Sequence, residues 1–142
     1  MGYTNYYHVK KGLKKLPKEF LDDCEKVVKV WNDNHDKKLD LTASEDIVIL
    51  NGDACTCEWF VINTKTDDRF IQRDDEGNLF NFTKTRADPY DSAVKALCML
   101  GLAYGVITRW SFDGENSDPE YADAVNLLAS AGLYYSGSTI EH

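Results

Sequence analysis

The sequence predicts an α+β domain: a mostly antiparallel sheet of about five strands, helices packed on one face, order β-α-β-β-β-β-α-β-α. Three observations predict it. One segment near the start repeats its apolar residues at helical spacing. The middle of the chain is a series of short β-branched and aromatic runs separated by turn residues. A second, largely apolar helix then precedes one more strand and one more helix. At 142 residues the chain suits a single domain, 1–142, with residues 134–142 expected as a flexible tail.

Tyr3 to Lys10 is aromatic and β-branched enough for an opening strand. Pro17 then starts a helix, since its missing N–H and fixed φ suit a first turn. Phe20, Leu21, Cys24, Val27, Val28 and Trp31 recur on one helical face, while Lys18, Asp22, Glu25, Lys26 and Lys29 point outward. The helix should end near Asn34 or His35, where an imidazole suits the negative end of the helix dipole. Residues 36–46 are polar and read as a loop.

Ile47 to Leu50 reads as a strand closed by Asn51-Gly52-Asp53, with Glu58 to Asn63 as its hairpin partner. Arg69 to Arg73 and Leu79 to Lys84 flank the turn Asp74-Asp75-Glu76-Gly77-Asn78, a second hairpin. Within its later strand Phe80 and Phe82 share one face, Asn81 and Thr83 the other. Asp88-Pro89-Tyr90-Asp91 opens the second helix, with Asp88 as N-cap and Asp91 at the positive end of the dipole. Ala93, Val94, Ala96, Leu97, Cys98, Leu100, Gly101 and Leu102 make it apolar almost all round, so it should be the central buried helix. Val106 to Phe112 is the last strand. Asp113-Gly114 turns the chain, Ser117 or Asp118 caps a third helix from Pro119 to about Ala131, and Tyr121, Ala122, Val125, Leu128 and Ala129 form its inner side.

Sixteen Lys and Arg stand against twenty-four Asp and Glu, a net charge of −8. The first forty residues hold nine Lys against seven acids; the rest hold seven basic residues against seventeen acids. Such a field repels duplex DNA and anionic membranes, because phosphate binding needs clustered cations. No apolar run reaches the length of a membrane span, and the first residues lack a signal-peptide profile. Met1-Gly2 resembles a myristoylation start, but position 6 is Tyr where that signal wants Ser or Thr. A cytoplasmic location is the expectation. Cys24, Cys55, Cys57 and Cys98 lack the paired spacing of a zinc site and read as free thiols.

No catalytic set is complete. The acidic stretch Asp113 to Glu120 misses the Gly and Glu that a calcium loop needs at its sixth and twelfth positions. No glycine-rich phosphate loop or nucleophile elbow occurs, so no cofactor, metal or catalytic residue is assigned. His8, with Asp91 or Asp113, is the one acid–base set that a small hydrolase or nuclease reading would use. Lys84-Thr85-Arg86, placed before a helix N-terminus, is a candidate anion or nucleotide site, with a surface ion-pair cluster as its alternative. Tyr3, Tyr6, Tyr7, Trp59, Trp110, Tyr134 and Tyr135 exceed what a small core must absorb, which leaves a homodimer or a partner-protein surface open.

Several short motifs stand in one order: Met1-Gly2-Tyr3-Thr4-Asn5-Tyr6, Asn51-Gly52, Glu58-Trp59-Phe60, Phe80-Asn81-Phe82-Thr83-Lys84-Thr85, Pro89-Tyr90-Asp91 and Ser111-Phe112-Asp113-Gly114. This set resembles a family of small uncharacterised proteins of bacteriophages and some bacteria. Its members open M-G-Y-T-H-Y, carry F-C-K-T before K-P-Y-D, and finish near S-S-D-G. Asn5 stands where that pattern has His, Thr83 where it has Cys, and Asp88 where it has Lys. The resemblance implies a phage setting, in which proteins of this size often bind host factors. The retained Thr4, Tyr6, Asn51, Lys84, Thr85, Tyr90, Asp91, Asp113 and Gly114 are candidates for a shared pocket, and Arg86 joins them through the anion-site reading. The expected function is therefore non-enzymatic: binding and modulating a host protein, such as a defence component, without direct contact to nucleic acid or membrane. The acidic surface suits a basic, nucleic-acid-binding partner. Small-molecule or nucleotide binding at Lys84–Arg86 is the alternative.

Overall fold

The computed structural model describes residues 3–65 and 72–142. The strand Thr4–Val9 (β1) is followed by the helix Lys18–Asp33 (α1) and by the strands Asp40–Ala43 (β2), Ile47–Asn51 (β3), Phe60–Asn63 (β4) and Leu79–Lys84 (β5). The helix Asp91–Ala103 (α2), strand Ile107–Phe112 (β6), helix Pro119–Ser130 (α3) and the short strands Tyr134–Tyr135 (β7) and Ile140–Glu141 (β8) complete the described elements.

The architecture is α+β with antiparallel pairing throughout, but the strands do not join one sheet of about five. β1 lies between β5 and β6, β3 lies between β2 and β4, and β7 pairs with β8. The predicted β3–β4 hairpin is present, with Val48 opposite Ile62 and Leu50 opposite Phe60. The loop expected over 36–46 contains β2, which a tally of polar residues hides. Leu41 and Ala43 alternate with exposed Asp40 and Thr42, enough for an edge strand on β3. Of the hairpin expected at 69–84, residues 69–71 lie outside the described residues. Its turn and closing pair are visible in Asp74 N–H to Asn78 O at 2.9 Å and the Arg73–Leu79 bridge.

α1 buries the stripe its spacing predicts, Phe20, Leu21, Cys24, Val27, Val28 and Trp31, and Asp23 as well. His35 stacks on Trp31 with ring centroids 3.6 Å apart, and its Nδ1 lies 2.7 Å from the Trp31 carbonyl, one of the last unpaired acceptors of α1. α2 is buried on every side from Ala93 to Gly101. It begins at Asp91, after a turn at Pro89-Tyr90, and Asp88 is not its cap: the Asp88 carboxylate accepts the Thr56 hydroxyl at 2.6 Å instead. In α3 only Ala124 and Leu128 are buried, so its inner face is rotated from the expected one and Ala122 is exposed. Residues 134–142, read as a tail, carry the β7–β8 pair, with Tyr135 opposite Ile140. At the end of β3, Gly52 has φ 100°, and a Cβ there would lie 2.8 Å from the Asp40 backbone nitrogen. Only glycine fits that turn.

The four cysteines are free thiols, with Cys24 and Cys98 buried. No helix among the described residues is long and apolar enough to cross a membrane.

Candidate functional site

The sheet β5-β1-β6 organises the functional geometry, because its strand alternation sorts the candidate residues onto two faces. Asn5, Tyr7 and Val9 of β1 face the helices, opposite Thr83, Asn81 and Leu79 of β5. Thr4, Tyr6 and His8 face the other way, opposite Lys84, Phe82 and Phe80.

On the helix side a polar cluster is sealed inside the core. Asp91, in the first turn of α2, accepts hydrogen bonds from Thr85 Oγ1 at 2.5 Å, Asn5 Nδ2 at 2.8 Å and Lys95 Nζ at 2.8 Å. Lys95 is fully buried, donates a further bond to Asn5 Oδ1 at 3.1 Å, and sits 4.3 Å from the ring centroids of both Tyr3 and Phe112. Trp110 Nε1 reaches the same Asn5 oxygen at 3.3 Å. Burial depresses the Lys95 pKa, and the neighbouring Asp91 carboxylate opposes that shift. The Tyr3 hydroxyl is buried beside this cluster and has no hydrogen-bond partner among the described residues, and burial raises its pKa.

Sequence reasoning assigned Thr85 and Asp91 to a binding pocket and passed over Lys95. The signal was present. Lys95 is the lone cation in an otherwise apolar helix, four residues after Asp91, where the two side chains must meet.

Other candidates are dispersed or engaged. Tyr90 is fully buried and donates to the carbonyls of Glu58 at 2.9 Å and Lys84 at 3.1 Å, so it ties two segments together. Arg86 donates to Thr56 O at 2.6 Å and pairs with Asp88 at 3.3 Å. The backbone N–H groups of Thr85 and Arg86 both donate to Tyr3 O. The Arg86 guanidinium and the backbone N–H groups of Thr85 and Arg86 are thus engaged within the chain, and Arg86–Asp88 is one ion pair of the cluster named as the alternative. Asn51 pairs with Asp40 in the β2-β3-β4 sheet, apart from the rest. Asp113 Oδ2 accepts from Thr4 N at 2.9 Å and Asp113 N donates to Thr4 O, which extends the β1–β6 ladder by one residue.

No family model, curated protein or solved structure matches this chain.

On the outer side of the sheet the aromatic residues form a strip. Tyr6 stacks on Phe80 at 6.3 Å between centroids, Phe80 lies 6.2 Å from Phe82, and His8 meets Phe80 edge-on at 5.3 Å. Phe82 is 45% exposed. Trp59, 57% exposed, stands beside the β5 edge, where Glu58 N donates to Lys84 O. His8 Nδ1 lies 2.7 Å from Asp74 Oδ2. Desolvation pulls the Asp74 carboxyl upward, but the His8 contact and the N–H groups of Asn78 and Glu76 outweigh it and hold the pKa at about 2. His8 therefore faces Asp74, and the candidates Asp91 and Asp113 have other partners. Among the described residues no group of His, Cys, Asp and Glu is arranged to hold a metal ion.

The aromatic surplus noted in the sequence divides accordingly. Tyr7 is core, Tyr3, Trp110 and Tyr135 are half-buried, and Trp59 and Tyr134 are exposed.

Proposed function

We propose that this chain is a binding protein that docks a partner protein on the open face of β5-β1-β6, without catalysis. The observation that carries this is the strip Tyr6–Phe80–Phe82 on a sheet whose other face is packed against the helices, together with the exposed Trp59 whose segment runs beside the β5 edge. Exposed Trp and Tyr clusters are the usual anchors of protein interfaces, because they remove much apolar area from water at small entropic cost.

The polar chemistry favours binding too. Asn5 and Thr83, which replace the His and Cys of the resembled phage pattern, are direct cross-strand partners on the buried face. Asn5 carries no titratable proton, and the Thr83 hydroxyl is engaged with Tyr7 Oη at 3.1 Å and the Trp59 carbonyl at 3.2 Å. Following that resemblance, the partner is a host protein, and the net charge of −8 suits a basic one, such as a nucleic-acid-binding defence component.

The test compares wild-type protein with a Trp59→Ser/Phe82→Ser variant as baits in host lysate. Both side chains are largely exposed, so the variant should keep its fold by circular dichroism. A host protein enriched by the wild type and lost from the variant supports the reading. Equal capture by both baits, or no enriched protein at any salt concentration, overturns it.

A further inference from the structure

Among the described residues, one edge of the same sheet is left unpaired. β5 is closed on its outer side: Phe80 N–H donates to Gln72 O, Phe82 N–H to the Asn81 side chain, and Lys84 N–H to Glu58 Oε1. Among the described residues β6 pairs with β1 alone. Asp113 N–H donates to Thr4 O, and antiparallel alternation then directs the N–H and C=O groups of Trp110 and Phe112 away from β1. Among the described residues they have no partner on that side. A free row of this kind is a template for another strand.

The side chains say which strand. Arg109 and Ser111 project from the outer face, opposite His8 and Tyr6, and Asp113 continues that row. Arg109 is exposed and makes no ion pair among the described residues. Asp113 uses one carboxylate oxygen on Thr4 N, which leaves the other for a second donor. The edge therefore runs from a cation at its start to an anion at its end.

We infer that β6 pairs antiparallel with β6 of a second copy of this chain, about a two-fold axis at Trp110, joining the two three-stranded sheets into one of six strands. Trp110 then lies opposite Trp110 of the second copy. Arg109 faces Ser111 of the second copy, with Asp113 of that copy as a diagonal neighbour within reach of a guanidinium. No like charges stand directly opposite each other in this register. The Trp110 pair also closes the adjoining cavity of about 380 Å³, walled by Trp110, Phe112, Tyr121 and Tyr135. The inference does not rest on partner docking at the aromatic strip, which lies on the β5 side of the sheet.

Sedimentation equilibrium of the full chain, from micromolar to several hundred micromolar, tests it. The wild type should sediment at twice the chain mass at the upper end. Arg109→Glu, which places an acid beside Asp113 of the second copy, should weaken the dimer by roughly tenfold or more, since two symmetric contacts change sign at once. Ser111→Glu should tighten it, and Arg109→Glu/Ser111→Arg should restore it. Neither side chain has a partner to lose among the described residues of the monomer, so unchanged circular dichroism is expected for every variant. A monomer at all concentrations, or a dimer indifferent to these charges, would overturn the inference. Dimer mass and lysate capture are separate readouts, so failure of one is distinguishable from failure of the other.

Discussion

Replacing Asp91 by Asn is the sharpest probe of the buried cluster. Asp91 is 1% exposed and Lys95 fully buried, so neither charge can recover its hydration in the folded state. The substituted amide would retain the shape of the side chain but leave the Lys95 ammonium with neutral acceptors alone. Breaking a buried pair on one side costs about 3–5 kcal/mol, a large share of the roughly 5–15 kcal/mol that holds a domain together. At roughly 4 °C per kcal/mol for a chain of this size, the melting temperature should fall by about 12–20 °C. Lys95→Met should cost less, because Asp91 keeps Thr85 and Asn5 and sits in the first turn of α2, at the positive end of its dipole. The double variant should recover much of the loss, with a coupling energy of at least about 2 kcal/mol. Urea unfolding followed by tryptophan fluorescence measures all four corners of the cycle. A pH series adds a signature. Burial already lowers the Lys95 pKa, and removing Asp91 lowers it further. The unfolded chain then binds more protons than the native one, so the deficit of Asp91→Asn shrinks as pH rises from about 7 towards 10. A single-variant cost below about 1 kcal/mol, or costs that simply add, would refute the reasoning.

Local geometry sets three more outcomes. In Gly101→Ala the new Cβ would lie 2.5 Å from Ile107 Cδ1 and 3.1 Å from Ile107 Cβ, so overpacking should exceed the gain in helix propensity and cost about 1–2 kcal/mol net; adding Ile107→Val should return part of it. Ala87 holds a positive φ of 55°, which strains an L-residue, so Ala87→Gly should stabilise by about 0.5–1 kcal/mol in the same urea assay. The Asp74 carboxyl is depressed from 3.8 to about 2, so its contribution is complete above about pH 4 and disappears as pH falls through 2; Asp74→Asn should be less stable at neutral pH, with the gap closing on acid titration.

What the sequence revealed follows the reach of each physical signal. The stripe on α1 and the apolar run of α2 were legible because helical periodicity is written over sixteen and thirteen residues. β2 was not, since four residues on a sheet edge carry little pattern. The separation into two three-stranded sheets was hidden as well. Which strand inserts between which others depends on long-range pairing, and β1 meets β5 across most of the first half of the chain. At the site, Asp91 was legible from its place at a helix start. The partner of Thr85 was not legible: a hydroxyl before a helix looks like an anion ligand, and in the fold it turns inward to Asp91 and is fully buried.

The buried cluster and the exposed strip are two consequences of one register. On a sheet of period two, a slip of a single residue would carry Asn5 and Thr83 to the solvent side and bring Tyr6 and Phe82 inward. Apolar contacts resist this through Tyr7 and Val9, which would leave the core as Tyr6 enters it. The polar groups do not tolerate it. Asn5 is the one β1 side chain that serves Asp91, Lys95 and Trp110 together, and a slipped strand would leave a buried ion pair without its amide. The cost of that orphaned pair falls on the slipped state, not on the native one. The polar cluster on the helix side of the sheet therefore acts together with Tyr7 and Val9 to keep the aromatic rings on the outer face.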